Sequence, residues 1–265
     1  GLVDDMAAQA EGVSDTGLDL AVLPEAAVNA GLEGDAASVA FPLDGPVRAR
    51  MADVARRHHC YIVLPMFLAE EDDGGYSNAC VLLNRDGEPA GTYRKVFPVA
   101  ARGQDLLEGG VTPGAEFPVF DCDFGRLGIQ ICFDGCFAEG WAALGAAGAE
   151  LVVWPTMSPQ TVRPALYAYQ HGYHVISSTW RNNATIFRPN GMVAAQIRDP
   201  ERLLVQQLDL SYSLLGWQPA LRNGAIFTET YGSAAGFQYS EAEDNGIFWS
   251  NDAAHPIGRM IEDLG

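Results

Sequence analysis

Short runs of β-branched and large apolar residues alternate along this chain with Ala-rich stretches of helical period. Residues 18–23 (LDLAVL) read as a buried strand that stops at Pro24-Glu25. Residues 48–58 have helical character and lead into a second strand at 61–67 (YIVLPMF). Residues 78–84 (NACVLLN) and 91–94 flank the turn signal Arg85-Asp86-Gly87-Glu88, which predicts a β-hairpin. Further strands are expected at 127–132, 151–154, 175–178, 184–187, 191–195 and 203–208, with helices at 138–148 and 163–173. A helical segment at 2–12 precedes the first strand. The polar, aromatic and Gly-rich tail beyond Ser211 carries no readable period. Strands that alternate with helices, interrupted by hairpins, predict an α/β fold with mixed sheets and helices on their outer faces.

Composition narrows the functional classes. The chain has 265 residues, 48% of them hydrophobic, which suits one large domain spanning 1–265. Its formal net charge of -18 repels phosphate backbones and anionic lipid surfaces, so neither nucleic acid nor membrane is an expected partner. Five cysteines are an odd number, scattered without the CxxC pairs of a structural zinc site. They predict free thiols, a reducing cytoplasm and no metal. Of the 16 basic residues only Lys95 is a lysine. Arginine replaces lysine on most surfaces, but not where a compact ammonium is required.

Three residues form a chemically sensible set. Cys132 ends an apolar strand and precedes a helix start, so its sulfur can point into a cleft. The backbone N–H that follows, at Phe133, can then meet an oxyanion. Taken alone, a cysteine in this setting is more often a small buried hydrophobe. A thiol needs a base and benefits from a neighbouring cation. Glu25, at the end of a rigid apolar strand, suits the first role, and Lys95, at the end of another, suits the second.

These residues sit in blocks that resemble a known family. Leu23-Pro24-Glu25, Tyr93-Arg94-Lys95 and the run from Ile131 to Glu139 (ICFDGCFAE) are similar, in order, to the three signature blocks of the nitrilase superfamily of carbon–nitrogen hydrolases. Tyr76-Ser77-Asn78-Ala79, Thr112-Pro113-Gly114 and Trp154-Pro155-Thr156 match the spacers, and the resemblance runs from about Leu18 to Leu210. It implies a four-layer α-β-β-α sandwich that forms homodimers or larger homo-oligomers and needs no metal or organic cofactor. It implies Cys132 as nucleophile, Glu25 as general base and Lys95 as stabiliser of the tetrahedral intermediate. Glu108 matches a second glutamate that orients the lysine, and Glu116 competes less well for that role.

Cys132-Phe133-Asp134 resembles the amidase-like branches, which implies a small-molecule linear amide as substrate. N-carbamoyl amino acid hydrolysis and nitrile hydrolysis stay open with the same triad, and a catalytically silent scaffold is the alternative from another class. Trp154, Met157 and Tyr173 are the candidate substrate-pocket residues. The chain departs from the family pattern in three places. The family's first strand has no counterpart before residue 18, Ala138 stands where a proline is usual, and Gln170-His171 replace a Glu-Asn pair. The tail 211–265 is expected as an extension that makes a dimer contact or caps the cleft.

Overall fold

Among the described residues, eleven strands between Leu20 and Gln196 collect in two sheets whose shared interior follows the pleat. The structure is a computed structural model that describes residues 17–70, 74–100, 106–198 and 201–265, together with Ala8. The helix expected at 2–12 lies outside the described residues, apart from Ala8. In the first sheet β1 (Leu20–Val22) pairs in parallel with β3 (Tyr61–Ala69), followed by antiparallel β4 (Tyr76–Leu83) and β5 (Pro89–Arg94). A two-residue β2 (Phe41–Pro42) pairs with the far end of β3. The parallel step from β1 to β3 needs a long crossover. It is supplied by α1 (Ala36–Val39), β2 and α2 (Pro46–His58), the last with proline in its first turn, where no N–H bond is lost.

The second sheet has the order β11-β10-β9-β8-β7-β6. It is built from β6 (Val119–Cys122), β7 (Gly125–Ile129), β8 (Leu151–Thr156), β9 (His174–Thr179), β10 (Thr185–Phe187) and β11 (Val193–Gln196). β7, β8 and β9 run parallel. Their crossovers are α3 (Ala138–Ala146) and α4 (Val162–His171).

Alternation within strands sorts the core into layers. On β3, Ile62, Leu64, Met66 and Leu68 pack with Met51, Val54 and Ala55 of α2, while Tyr61 and Val63 turn the other way. There they meet Leu127 and Ile129 of β7 and Leu151 and Val153 of β8. On the far side of the second sheet, Val152 and Trp154 join Trp141, Leu144 and Tyr167 of α3 and α4. Each fully buried side chain of this kind contributes roughly 1.5–3 kcal/mol. The layers run helix, sheet, sheet, helix, which is the α-β-β-α sandwich.

Two expectations need correction. Residues 203–208 form no strand, since no described neighbour offers a ladder to them; Leu203 and Val205 are exposed along the surface. The unassigned tail is instead ordered into β12 (Tyr212–Gly216), α5 (Ala225–Tyr231), β13 (Ala235–Ser240), β14 (Asn245–Ser250) and α6 (Ile257–Leu264). The three strands pair in the order β12-β14-β13 and share a small core of Leu221, Phe227, Phe248, Ile257 and Met260.

Candidate active site

The ends of three strands deliver the three candidate groups. β1 stops at Val22, and the backbone turns at Pro24 to leave Glu25 buried at 5% exposure. Lys95 follows β5 directly, its backbone N–H bonded to Asn78 O at 2.8 Å, and its side chain is 1% exposed. The segment 112–114 seals this end of the hairpin: Thr112 N donates to Tyr76 O and Gly114 N to Lys95 O. Only glycine fits at 114, because a Cβ there would lie 2.3 Å from Arg94 O. β7 ends at Ile129, earlier than expected, and Cys132 opens a 3₁₀ turn (Cys132–Cys136) with a left-handed φ of 44°. Such a conformation is costly for a residue with a Cβ and is held by its surroundings.

The Lys95 ammonium lies between two carboxylates. Nζ donates to Glu25 Oε1 at 2.8 Å and to Glu108 Oε1 at 2.5 Å. An ammonium has three N–H donors, so one is left over. Asn78 Nδ2 spans the same pair, donating to Glu25 Oε1 at 3.1 Å and Glu108 Oε2 at 2.9 Å. Glu108 is fixed further by Val99 N, which donates to its Oε1. Among the described residues Glu25 Oε2 has no hydrogen-bond partner, and it is shielded from solvent. Burial works against the Lys95 charge, but Glu25 and Glu108 outweigh it and hold the ammonium above its ordinary pKa.

Cys132 completes the cluster. Burial and then the adjacent Glu25 carboxylate push its thiol up to about 11, while Lys95 and the Met157 backbone N–H pull the other way. The resting sulfur is therefore a thiol at neutral pH, beside a carboxylate with one uncommitted oxygen. Nucleophilic attack from this arrangement needs that carboxylate to take the proton.

The turn that carries Cys132 is braced from two sides. The wholly buried Asp134 accepts from Tyr93 Oη at 2.7 Å, Phe97 N at 2.8 Å and Ile131 N at 3.0 Å. Burial raises the Asp134 pKa even though these donors oppose it. Behind the turn, Trp154 Nε1 donates to Cys132 O at 2.9 Å. Gly135 lies flat on that indole, where a Cβ would come within 2.8 Å of the ring. Phe133, whose N–H was expected at an oxyanion, follows Cys132 and is partly exposed, with its ring edge-on to Phe137.

A cavity of about 290 Å³ lies beside the cluster, reached by Glu108, Met157, Phe67, Leu32, Val39 and Trp180 among others. Of the three expected pocket residues only Met157 lines it. Trp154 is 2% exposed because its parity on β8 turns it to the helix layer, so it supports the nucleophile turn and is not among the residues lining this cavity. Tyr173 is wholly buried in the same layer with its hydroxyl on Trp141 O. Glu116, the competitor of Glu108, is exposed and bonded to neither Lys95 nor Asn78.

Asn78, Asp134 and Trp180 had been given no role. Trp180 lines the cavity and donates from Nε1 to Glu25 O at 2.8 Å. The available signal for Asn78 was a polar residue opening the apolar run NACVLL. Among the described residues no group of three or more His, Cys, Asp or Glu could hold a metal ion, and no helix is long and apolar enough to cross a membrane.

Comparison with known proteins identifies the family and the fold. The family model described as carbon-nitrogen hydrolase matches residues 1–213. Omega-amidase NIT2 of Homo sapiens is 26% identical over 190 residues, which cover 63% of this chain and 68% of that protein. Nitrilase 1 of Arabidopsis thaliana is 34% identical over 119 residues, 44% of this chain. The chain spans well under half of some curated relatives: 32% of Nitrilase 1 and 40% of a probable nitrilase of Schizosaccharomyces pombe. Among solved structures, Nit3 of Saccharomyces cerevisiae superposes with a TM-score of 0.66 at 18% identity, covering 76% of this chain and 81% of that one. An amidase of Nesterenkonia AN1 gives 0.61 at 20% identity, covering 74% and 80%. The shared fold and the family match together make this chain a member of the carbon–nitrogen hydrolase family, within the nitrilase superfamily.

Proposed function

We propose that the protein hydrolyses the C–N bond of a small linear, non-peptide amide through a thioester on Cys132. The observation that carries this reading is the Lys95 ammonium bonded to both Glu25 and Glu108 next to a thiol that Glu25 and Lys95 pull in opposite directions. Glu25 takes the thiol proton as sulfur attacks the carbonyl carbon. The oxyanion that forms is met by the remaining Lys95 N–H and the Phe133 backbone N–H. Collapse of the tetrahedral intermediate breaks the C–N bond while Glu25 passes its proton to the departing ammonia or amine. Water, deprotonated by the same carboxylate, then cleaves the thioester to release a carboxylic acid and the thiol. The ammonium and a backbone N–H supply the positive charge, so the scheme calls on neither metal nor organic cofactor.

Glu108 serves as a positioning residue, since it reaches the reacting atoms only through Lys95 and Asn78. The branch is read as amidase-like from Cys132-Phe133-Asp134, and the relatives named as amidases support it. The test is ammonia release from a panel of short amides, N-carbamoyl amino acids and nitriles, with mass spectrometry of the quenched enzyme. Amide turnover with an acyl adduct on Cys132 is expected. Hydrolysis that survives Cys132→Ala removes the mechanism, and turnover of nitriles or carbamoyl compounds alone reassigns the substrate.

A further inference from the structure

We infer that the acyl part of the substrate is uncharged and apolar, and that amides bearing a second carboxylate or an amine are turned away. The inference rests on the amide-hydrolase reading of the same site and narrows it. The cavity beside the cluster, about 290 Å³, holds roughly ten waters' worth of volume, enough for a short acyl chain. Its walls are apolar at Leu32, Val39, Phe67 and Met157.

The polar side chains that line the cavity already carry hydrogen bonds. Asn29 donates from Nδ2 to Val39 O at 2.7 Å and accepts from Phe67 N at 2.9 Å, so both ends of its amide are used. Trp180 Nε1 is bonded to Glu25 O. The one charged side chain among the described lining residues is Glu108, an anion. The nearby cation, Lys95, is 1% exposed and gives two of its three donors to Glu25 and Glu108.

A carboxylate entering this space would lose its water, find no cation among the described lining residues to receive it and face Glu108. An amine would find Glu108 with Oε1 on Lys95 and Val99 N and Oε2 on Asn78, so a single lone pair is left to it, beside the Lys95 ammonium that repels a second cation. A methyl terminus would lose nothing and would bury its surface against Met157 and Phe67. Selectivity of this kind comes from unpaired charge, which discriminates far more strongly than one methylene does.

The test uses three amides of matched length: pentanamide, the monoamide of glutaric acid and 5-aminopentanamide. Pentanamide is expected to exceed both charged amides by about 100-fold in kcat/KM, a gap of about 2.7 kcal/mol. Leu32→Arg, at a half-exposed cavity position that tolerates a long side chain, is expected to raise the kcat/KM ratio of the glutaric monoamide to pentanamide at least about tenfold, and an unchanged ratio counts against the inference. A glutaric monoamide hydrolysed within about threefold of pentanamide by the unmodified enzyme overturns the inference and leaves the amidase reading intact.

If none of the three is hydrolysed, the amidase reading fails, and the charge preference is decided by alkylation of Cys132. Iodoacetamide is expected to outpace iodoacetate by at least about tenfold more than it does on glutathione. The comparison is made at about 1 M salt, where the Debye length is about 3 Å and the acidic surface is screened. Equal ratios for the two thiols overturn the inference.

Discussion

Tyr93 donates its phenolic hydrogen to Asp134 Oδ2 at 2.7 Å, joining the strand that delivers Lys95 to the turn that delivers Cys132. Lys95 lies two residues beyond the tyrosine and Cys132 two before the aspartate, so this buried bond, together with Phe97 N on the same carboxylate, ties the ammonium's strand to the sulfur's turn.

Tyr93→Phe keeps the ring and removes the donor. A stability loss of about 1–2 kcal/mol is expected, because Asp134 keeps Phe97 N and Ile131 N. Asp134→Ala strands three buried donors and is expected to cost about 3 kcal/mol or more. Urea melts measure both. A Tyr93→Phe protein with wild-type stability and wild-type kcat would show that the bond positions nothing.

Asn78→Ala removes the amide that spans Glu25 and Glu108. A drop in kcat of about 10–100-fold is expected, with KM changed less, since the residue holds the base and does not touch substrate. Asn78→Asp would crowd a third carboxylate against the first two and should be worse than the alanine in both activity and stability. If the aspartate variant is the more active of the two, the role assigned to Asn78 is wrong.

The thiol of Cys132 makes a pH prediction whose sign can be worked out. Burial and Glu25 raise it to about 11, so its alkylation by iodoacetamide should keep accelerating to near that pH instead of levelling off near 8.5. Glu25→Gln removes the repelling charge and should move the midpoint down. A midpoint that rises or stays fixed contradicts the proximity of carboxylate and thiol.

The same shift has a consequence for folding. An unfolded thiol releases its proton near 8.5 and the folded one near 11, so the unfolded state binds fewer protons between these values. Stability then falls as pH rises through that window. Cys60 and Cys122, pushed up to about 11 chiefly by burial, act in the same direction. Denaturation curves at pH 8, 9 and 10 should show the decline, and a flat profile would remove it.

Gly135→Ala would force a methyl into the Trp154 ring that holds Cys132 O. Overpacking of this kind costs typically about 1–3 kcal/mol. Trp154→Phe tests the bracket more gently, and a several-fold loss of kcat beyond any loss of folded protein is expected. Circular dichroism alongside kinetics separates the two effects.

How much of this was visible in the sequence depends on what each residue needs from its neighbours. Glu25, Lys95 and Cys132 stand at the ends of short apolar runs, and a strand end is a local property, so their positions could be read directly. The strand at 61–67 was legible too, but which of its side chains face which layer emerged only with the second sheet. Trp154 and Tyr173 were misjudged because parity says which residues share a face, not which face meets the cleft. Leu151 and Val153 turn to the sheet interface, which commits Trp154 to the helices. Asn78 was missed because its importance arises from two glutamates 53 and 30 residues away. The tail was opaque because Phe237, Phe248 and Met260 build a core only after β12 meets β14 across a long interval.

The sole lysine of the chain is also one of its best-shielded side chains. Amine-directed reagents applied to the folded protein therefore have little to label beyond the chain's own amino terminus. When an ε-amine adduct does appear, it can come from only one residue, and its rate of appearance times the opening of the catalytic centre. The molecule thus carries a native reporter of its own breathing, requiring no engineered tag and no second lysine to be masked.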